Sequence, residues 1–238
     1  MKINWMKKIV FILLFLCNMF VFAQTKGMFS KSPIINLENW DKQRTYWGYF
    51  LGFNSYDFKF EYQNYGKDIL VNKNSGFNVG LIGDLRLFEN LNLRFEPGLY
   101  FTQRNLTFTN ITDPNDALRE VKSTYIHLPL LLKFSAKRTG NIRPFLVGGV
   151  SRTLNLSSNS NLKDDNEQEI FRVTKWTNNY ELGFGIDLYT EYFKFTPSIR
   201  GVFGMGDELV RDNSPTSPWT SNVNSMSSRA IFINFTFQ

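Results

Sequence analysis

The stretch "LNLRFEPGLYFTQR", residues 91–104, alternates apolar and polar side chains over most of its length. A period of two is typical of a β-strand whose two faces meet different surroundings. In a water-soluble sheet the apolar face would turn inward. In a strand that crosses a membrane, that face would meet lipid and Arg94 and Glu96 would line a closed barrel. The remainder of the chain has to decide between the two arrangements.

The beginning of the chain has the organisation of a secretory signal peptide. Three lysines precede an apolar run over residues 9–17, and Ala23 is the small residue before the predicted cleavage site. The run is too short for a transmembrane anchor, which needs about 20 residues. We therefore expect three parts: a signal peptide over 1–23, a periplasmic N-terminal segment over 24–44 and an outer-membrane β-barrel domain over 45–238.

Composition excludes several classes of function. The single cysteine, Cys17, lies in the predicted leader, so we expect no disulfide, zinc–thiolate site or cysteine nucleophile in the mature chain. Basic residues exceed acidic ones only mildly, 27 against 21, and form no dense patch, so no nucleic-acid partner is expected. Aromatic residues reach 16%, yet no segment after residue 23 is apolar over the length of a spanning helix. An exported chain of this kind favours a β-barrel.

Eight segments alternate with a period of two and are predicted strands. They are residues 45–54, with the pattern continuing to 62 and a possible change of face, and then 76–87, 91–104, 123–134, 142–154, 179–189, 192–204 and 230–237. The connections between them alternate between long and short without exception. Outer-membrane barrels have short periplasmic turns and long extracellular loops. We therefore predict an all-β, eight-stranded antiparallel transmembrane barrel in the cell outer membrane, with outer-membrane lipid as its first partner. A soluble lipocalin-like carrier also has eight strands and stays an alternative.

Four prolines fall inside the predicted strands, and proline cannot donate to a strand ladder. They are Pro97, Pro129, Pro144 and Pro197. A closed barrel has no free edge for them, so each is expected to mark a bulge or a strand end at the rim.

If the apolar faces meet lipid, nine charged side chains point inward. They are Asp84, Arg86, Arg94, Glu96, Lys133, Glu181, Asp187, Lys194 and Arg200. Eight strands enclose a lumen that side chains fill, and charges held there have to be paired or hydrogen-bonded. Four acids against five bases predict a structural plug and a barrel that does not conduct. A functional polar site in the same cluster is the alternative.

The sequence has few features that are typical of catalysis or cofactor binding. His127, the only histidine, lies on the predicted inner face without a nucleophile elbow, so we expect a structural role for it and no enzymatic activity. The acidic runs 113–116 and 164–169 lack calcium-binding spacing and are expected to be solvated loops. No metal site and no cofactor are predicted.

Three segments together resemble the PorT/SprT outer-membrane proteins of Bacteroidota. They are "SPIINLENWDKQRTYWGYFLGFNSYDFKF" (32–60), "GFNVGLIGDLRLFENLNLRFEPGLYFTQR" (76–104) and "YIHLPLLLKFSAKR" (125–138). The resemblance extends over essentially the mature chain, and its first part is the most specific. It implies a non-enzymatic accessory component of the type IX secretion system, which exports cargo and supports gliding motility where that occurs. A barrel this narrow cannot pass a folded protein, so assembling or stabilising the translocon is the implied role, with other secretion components as partners.

The segment before the barrel contains four apolar residues that need a packing partner. They are Ile34, Ile35, Leu37 and Trp40. Contact with a secretion partner and packing under the periplasmic mouth are equally supported. Two further functions stay open: a structural or adhesion barrel that binds surface ligands through its loops, and an enzyme with His127 at the rim.

Overall fold

The structure, a computed structural model, describes residues 34–64 and 68–238, so the predicted signal peptide and the first part of the N-terminal segment lie outside the described residues. In chain order the strands and the one short α-helix of this part are β1 (Thr45–Tyr62), β2 (Ile69–Lys73), β3 (Ser75–Arg86), β4 (Leu91–Phe95), β5 (Gly98–Phe108), α1 (Pro114–Ala117), β6 (Leu118–Ser135), β7 (Ile142–Asn155), β8 (Trp176–Tyr189), β9 (Lys194–Gly204) and β10 (Val223–Phe237). No helix among these residues is long and apolar enough to cross a membrane.

The strands close into one antiparallel barrel. The pairing runs from β1 through β10, β9, β8, β7 and β6 to β4 and β5, and β3 pairs with both of these and with β1. Strands β2 and β3 follow each other along one path across the barrel wall, and so do β4 and β5. The ten strands therefore form eight continuous paths. Pairing of Tyr49 with Phe237 and its neighbours closes the ring. The predicted all-β fold with eight antiparallel strands is confirmed.

Connections of different length collect at opposite ends of the barrel. Residues 87–90, 136–141 and 190–193 form the short-turn end, whereas 109–117, 156–175 and 205–222 form the long-loop end. Residues 34–44 and Gln238 also lie at the short-turn end, as an even number of strand paths requires.

The apolar faces point outward. Phe95 and Leu99 are 44% and 40% exposed, whereas Arg94 and Glu96, on either side of Phe95, are almost fully buried. The outward apolar side chains form a belt around the barrel, called here the apolar band, which includes Leu51, Phe53, Phe77, Leu81, Leu99, Leu130, Leu132, Leu182, Phe184, Ile231 and Ile233. The inverted arrangement, with charges inside and apolar side chains outside, is therefore the one that the chain adopts.

Several strands extend further toward the long-loop end than the sequence predicts, and the character of their faces changes there. On β1 the odd-numbered residues point outward throughout, so the possible change of face does not occur. Instead, the outward side chains change from Leu51 and Phe53 to Lys59 and Glu61, while the inward Phe58 is buried. The same change from apolar to charged outward side chains occurs along β6 toward the long-loop end. We call the part of the barrel that the apolar band encircles the lumen region. The part between the band and the long loops is called the outer region.

The prolines mark irregular pairing, although two of them lie within the wall rather than at its rim. Pro97 occupies the break between β4 and β5. Pro129 on β6 lies where that strand changes partner from β5 to β4. Pro197 coincides with an interruption in the register between β8 and β9. Pro144 lies near the start of β7, and its carbonyl oxygen accepts a hydrogen bond from Ala136 at the adjoining turn. Pro97 and Pro129 thus mark interruptions within the wall, as the bulge alternative expects, and neither marks a strand end at the rim.

Candidate functional site: a charged lumen covered at both ends

The charged lumen is built around Arg94. Strand pairing places Arg94 opposite Asp84, and the guanidinium donates two hydrogen bonds to that carboxylate, Nε to Oδ1 at 2.8 Å and Nη2 to Oδ2 at 2.7 Å. Its remaining nitrogen, Nη1, lies 3.1 Å from Oε1 of Glu96. This bidentate geometry is the strongest form of ion pair available to arginine.

Arg200 extends the network across the lumen. Its Nη1 lies 2.7 Å from Oε2 of Glu96, and its Nε lies 2.8 Å from Oε2 of Glu181. Glu181 also contacts Nε2 of His127 at 2.7 Å, and Nδ1 of His127 lies 2.8 Å from the Thr153 hydroxyl. One connected path of hydrogen bonds and ion pairs therefore joins six strands of the wall.

A second pair lies nearer the short-turn end. The Lys133 ammonium lies 2.6 Å from Oδ2 of Asp187, whose other oxygen accepts a hydrogen bond from Thr196 at 2.8 Å. Lys194 is also buried and lies 5.1 Å from the centre of the Tyr46 ring. Within the described residues Lys194 makes no ion pair, and neither does Arg86, which is half-buried at the end of β3.

The structure thus joins seven of the nine predicted lumen charges in ion pairs. An isolated ion at such a depth costs several kcal/mol, and removing one member of a buried pair leaves its partner in that state. The pairs therefore depend on one another. Desolvation opposes the attraction within each pair.

An aromatic layer covers the network on its outer side. The ring centroids of Tyr100 and Phe232 are 4.6 Å apart, and Tyr100 also meets the His127 ring edge-on at 5.1 Å. The Phe50 ring enters this layer because Gly80 carries no side chain: a Cβ there would lie 2.6 Å from the ring and 2.4 Å from a backbone oxygen. Glycine at this position is a requirement of packing.

The outer region encloses an apolar core that differs from the polar interior predicted from the sequence. Its buried members are Phe58, Ile69, Leu106, Phe108, Val121, Phe171, Val173, Leu209, Val223 and Met226. Arg104 lies at its base, fully buried, with its guanidinium 3.9 Å from the centre of the Phe58 ring and 2.5 Å from the Tyr125 hydroxyl. The predicted strands end at residue 104 and resume at 123, so the apolar Leu106 and Phe108 fall in a predicted connection. Arg104, the last residue of the predicted strand, is absent from the predicted inward charges. The continued alternation through Leu106 and Phe108 was the available signal.

Two long loops fold over this core. Val173 and Leu209 form an isolated bridge between residues 156–175 and 205–222. Asp165 caps a 3₁₀ turn, and backbone hydrogen bonds from Asn213 and Glu167 lower the pKa of its carboxyl. Burial raises the pKa of the Glu208 carboxyl, which accepts hydrogen bonds from the Ser228 amide and hydroxyl at 2.8 and 2.6 Å. The carboxylate of Asp165 in the 164–169 run is thus engaged by the protein's own donors.

The N-terminal segment lies across the short-turn end. The Asp41 carboxylate contacts Arg138 at 3.4 Å, Arg143 at 3.1 Å and the Tyr189 hydroxyl at 2.6 Å. Trp40 stacks on Tyr46 with centroids 5.8 Å apart. Of the four apolar residues noted in the sequence, Leu37 and Trp40 are half-buried, whereas Ile34 and Ile35 are exposed. The segment therefore supplies both packing at the mouth and an exposed apolar end.

His127 has hydrogen-bond partners on both ring nitrogens, but the side chains of His127, Thr153 and Glu181 are all buried. A hydroxyl, an imidazole and a carboxylate in this order resemble a nucleophile, a base and its orienting acid. Here Arg200 occupies the carboxylate and the aromatic layer covers the imidazole. In the described part of the chain, no group of three or more His, Cys, Asp or Glu side chains could hold a metal ion.

Solved structures of three bacterial barrels are similar to the chain. The N-terminal β-barrel domain of Pseudomonas aeruginosa OprF has 13% identity, covers 81% of this chain and 100% of its own, and has a TM-score of 0.34. Neisserial surface protein A has 11% identity, with 79% and 95% covered and a TM-score of 0.39. OprG of Pseudomonas aeruginosa has 16% identity, with 82% and 95% covered and a TM-score of 0.41. No curated protein gives a significant match.

A family match covers most of the sequence. The family described as "Outer membrane protein beta-barrel domain" matches residues 22–210. This range includes nine of the ten strands and both carboxylates that Arg200 contacts.

Proposed function

The chain belongs to the outer membrane protein β-barrel domain family and so lies in the outer membrane with its apolar band against lipid, and we propose that it acts there as a non-enzymatic accessory component of a type IX protein secretion system. In this role it supports the export of cargo, and gliding motility where that occurs, by assembling or stabilising the translocon. Other secretion components are its partners.

The filled interior is the observation that carries the proposal. Seven ion-paired charges occupy the lumen, the N-terminal segment lies across one end, and the apolar core with its loops covers the other. Such a barrel offers no path for a polypeptide, and we expect it not to conduct ions. A protein without a channel of its own can still support export through contacts at its two ends.

The resemblance of residues 32–60, 76–104 and 125–138 to PorT/SprT proteins directs this general role to type IX secretion. The first of these ranges includes the segment at the short-turn end. Ile34 and Ile35 are exposed there, while Asp41 is fixed by its contacts with Arg138 and Arg143. We place the contact with a secretion partner at Ile34 and Ile35, and assign Leu37 and Trp40 to packing.

Gene deletion with complementation tests the proposal. Deletion should abolish export of cargo, and the wild-type gene should restore it. A gene carrying Ile34→Asp and Ile35→Asp should restore the folded barrel in the outer membrane without restoring export, whereas Ile34→Val with Ile35→Val should restore both. Normal export in the deletion strain contradicts the proposal.

A structural or adhesion barrel is the second candidate, and the ordered loops over the outer core favour it. Under that function, deletion leaves export intact and reduces binding of a surface ligand. The enzyme alternative required His127 at the rim, whereas the side chain is buried beneath the aromatic layer. His127→Ala should leave export unchanged in any variant that remains folded.

A further inference from the structure

Three outward side chains from neighbouring strands meet at the edge of the apolar band that is nearer the long-loop end. Asp57 on β1 lies opposite Arg229 on β10, and Nε of Arg229 lies 2.8 Å from Oδ2 of Asp57. Lys73, the last residue of β2, places its ammonium 3.1 Å from the same oxygen. Two cations therefore share one carboxylate, and the group carries a net positive charge.

Aromatic residues fix the height of this group in the membrane. Arg229 is in register with Phe203, and Phe203 with Tyr180, so the row of residues that contains Arg229 continues into an exposed aromatic pair with ring centroids 5.1 Å apart. At the opposite edge of the band lie the exposed Trp47 and Tyr49. Outer-membrane barrels carry aromatic girdles at both interfaces. Lys73 and Arg229 consequently lie at the level of the lipid headgroups of the outer leaflet.

The group lies in a groove on the outer wall. Its lining residues are Ser55, Asp57, Lys73, Phe203, Arg229, Ala230 and Ile231. The Asp57 side chain is only 10% exposed, whereas those of Lys73 and Arg229 are 48% and 52% exposed. The carboxylate thus holds both cations in place, with Nε and Nη2 of Arg229 each 2.8 Å from Oδ2 of Asp57. Both cations stay about half exposed and keep further N–H donors, and Phe203 and Ile231 add apolar lining.

We propose that this groove binds a phosphate group on a glycolipid of the outer leaflet. Phosphate is recognised by the fork of arginine together with the point charge of lysine. The apolar wall below accepts the acyl chains that accompany such a headgroup and that a free anion lacks. This inference depends on the barrel's place in the outer membrane and is independent of a role in secretion.

Two other outward ion pairs on the described strands carry no net charge, unlike the group around Asp57. Lys59 pairs with Glu61 at 3.0 Å and Lys122 pairs with Glu120 at 3.1 Å, both in the outer region. Each is one cation with one anion on a strongly exposed site, and neither leaves positive charge unmatched. Lys59 and Lys122 therefore supply a matched control for the loss of two positive charges.

Binding of lipid A to the mature chain in neutral detergent micelles tests the inference by native mass spectrometry. We expect Lys73→Gln with Arg229→Gln to weaken binding of the doubly phosphorylated lipid by roughly tenfold or more, since charge-assisted hydrogen bonds are lost. Lys59→Gln with Lys122→Gln should change it by less than about twofold, because those sites are screened and already paired. Chemically dephosphorylated lipid A should bind the wild-type chain as weakly as the phosphorylated lipid binds the first variant.

The arm with dephosphorylated lipid requires no substitution, so the test does not depend on a variant that folds. The inference is overturned if dephosphorylated lipid binds the wild type equally well, or if the control pair weakens binding as much as Lys73→Gln with Arg229→Gln. Inorganic phosphate that competes at the concentration of the lipid would overturn the assignment to a lipid.

Discussion

The lumen region and the outer region use the same strands with opposite chemistry. In the lumen region Arg94 and Arg200 are inside and Phe53 is outside, whereas in the outer region Phe58 is inside and Lys59 is outside. The alternation of sides is unbroken along β1. The backbone thus fixes which residues share a face, and the surroundings determine which chemistry that face carries. A membrane barrel continues here as a water-exposed barrel with an ordinary apolar core.

The largest expected effect comes from breaking the ion network of the lumen region. Arg200→Ala leaves Glu96 and Glu181 buried with fewer partners, so we expect a loss of about 3–5 kcal/mol in the free energy of unfolding. Urea unfolding in lipid vesicles, followed by tryptophan fluorescence, measures it. Arg152→Ala is the control, because Arg152 is exposed and lies over the Trp176 ring. Equal losses for both variants would contradict a special role for the lumen charges.

Truncating a side chain in the outer core should act locally. Leu106 is fully buried there, and Leu106→Ala should cost about 3 kcal/mol through lost burial and the cavity left behind. We expect faster trypsin cleavage in residues 156–175, with the strands of the apolar band still protected. Leu162→Ala, at an exposed site, should leave the cleavage rate unchanged. Release of the whole barrel to proteolysis by Leu106→Ala would show that the two regions unfold as one.

Adding a charge to the outward face should have opposite consequences in the two regions. Leu51→Lys places an ammonium in the apolar band and should cost about 2 kcal/mol or more. Glu61→Lys, on the same face of the same strand, should change stability by less than about 0.5 kcal/mol, because that site meets water. Both values come from unfolding in vesicles. A similar cost at the two positions would remove the boundary between the regions.

The smallest expected effect is a dependence of the outer region on pH. Burial raises the pKa of Glu208, so folding of the loops favours the protonated carboxyl. This stability is present below the pKa of the unfolded chain, about 4.3 for glutamate. It is lost as the pH rises through the higher pKa of the folded state. Arg104 opposes the shift and Asp207 adds to it.

We therefore expect cleavage in residues 205–222 to accelerate as the pH rises above about 4.3, the pKa of glutamate in an unfolded chain. Glu208→Gln should remove most of this dependence. A protease active on both sides of this pH, calibrated on an unfolded peptide with the same cleavage site, provides the measurement. An unchanged pH profile in Glu208→Gln would exclude Glu208 as its source.

The sequence predicted the barrel because alternation survives in every strand path and because long and short connections sort to opposite ends. It predicted the inward position of residues such as Arg94 and Glu181 from the same alternation. The prediction failed in the outer region, where the inward face becomes apolar and the outward face becomes polar. Residues 105–108 and 118–122 were not predicted as strands, because apolar residues were expected on the outward face only. Partners of individual charges, such as Glu96 with Arg200, lie 104 residues apart and depend on closure of the barrel.

Spin labels on β1 test the exchange of surroundings most directly. The only cysteine of the chain is Cys17, in the predicted leader, so single cysteines at Leu51, Phe53, Lys59 and Glu61 of the mature chain can be labelled selectively. In vesicles, we predict that labels at 51 and 53 relax mainly through collisions with oxygen, and that labels at 59 and 61 relax mainly through collisions with a water-soluble nickel complex. The same collision partner at all four sites would contradict the account.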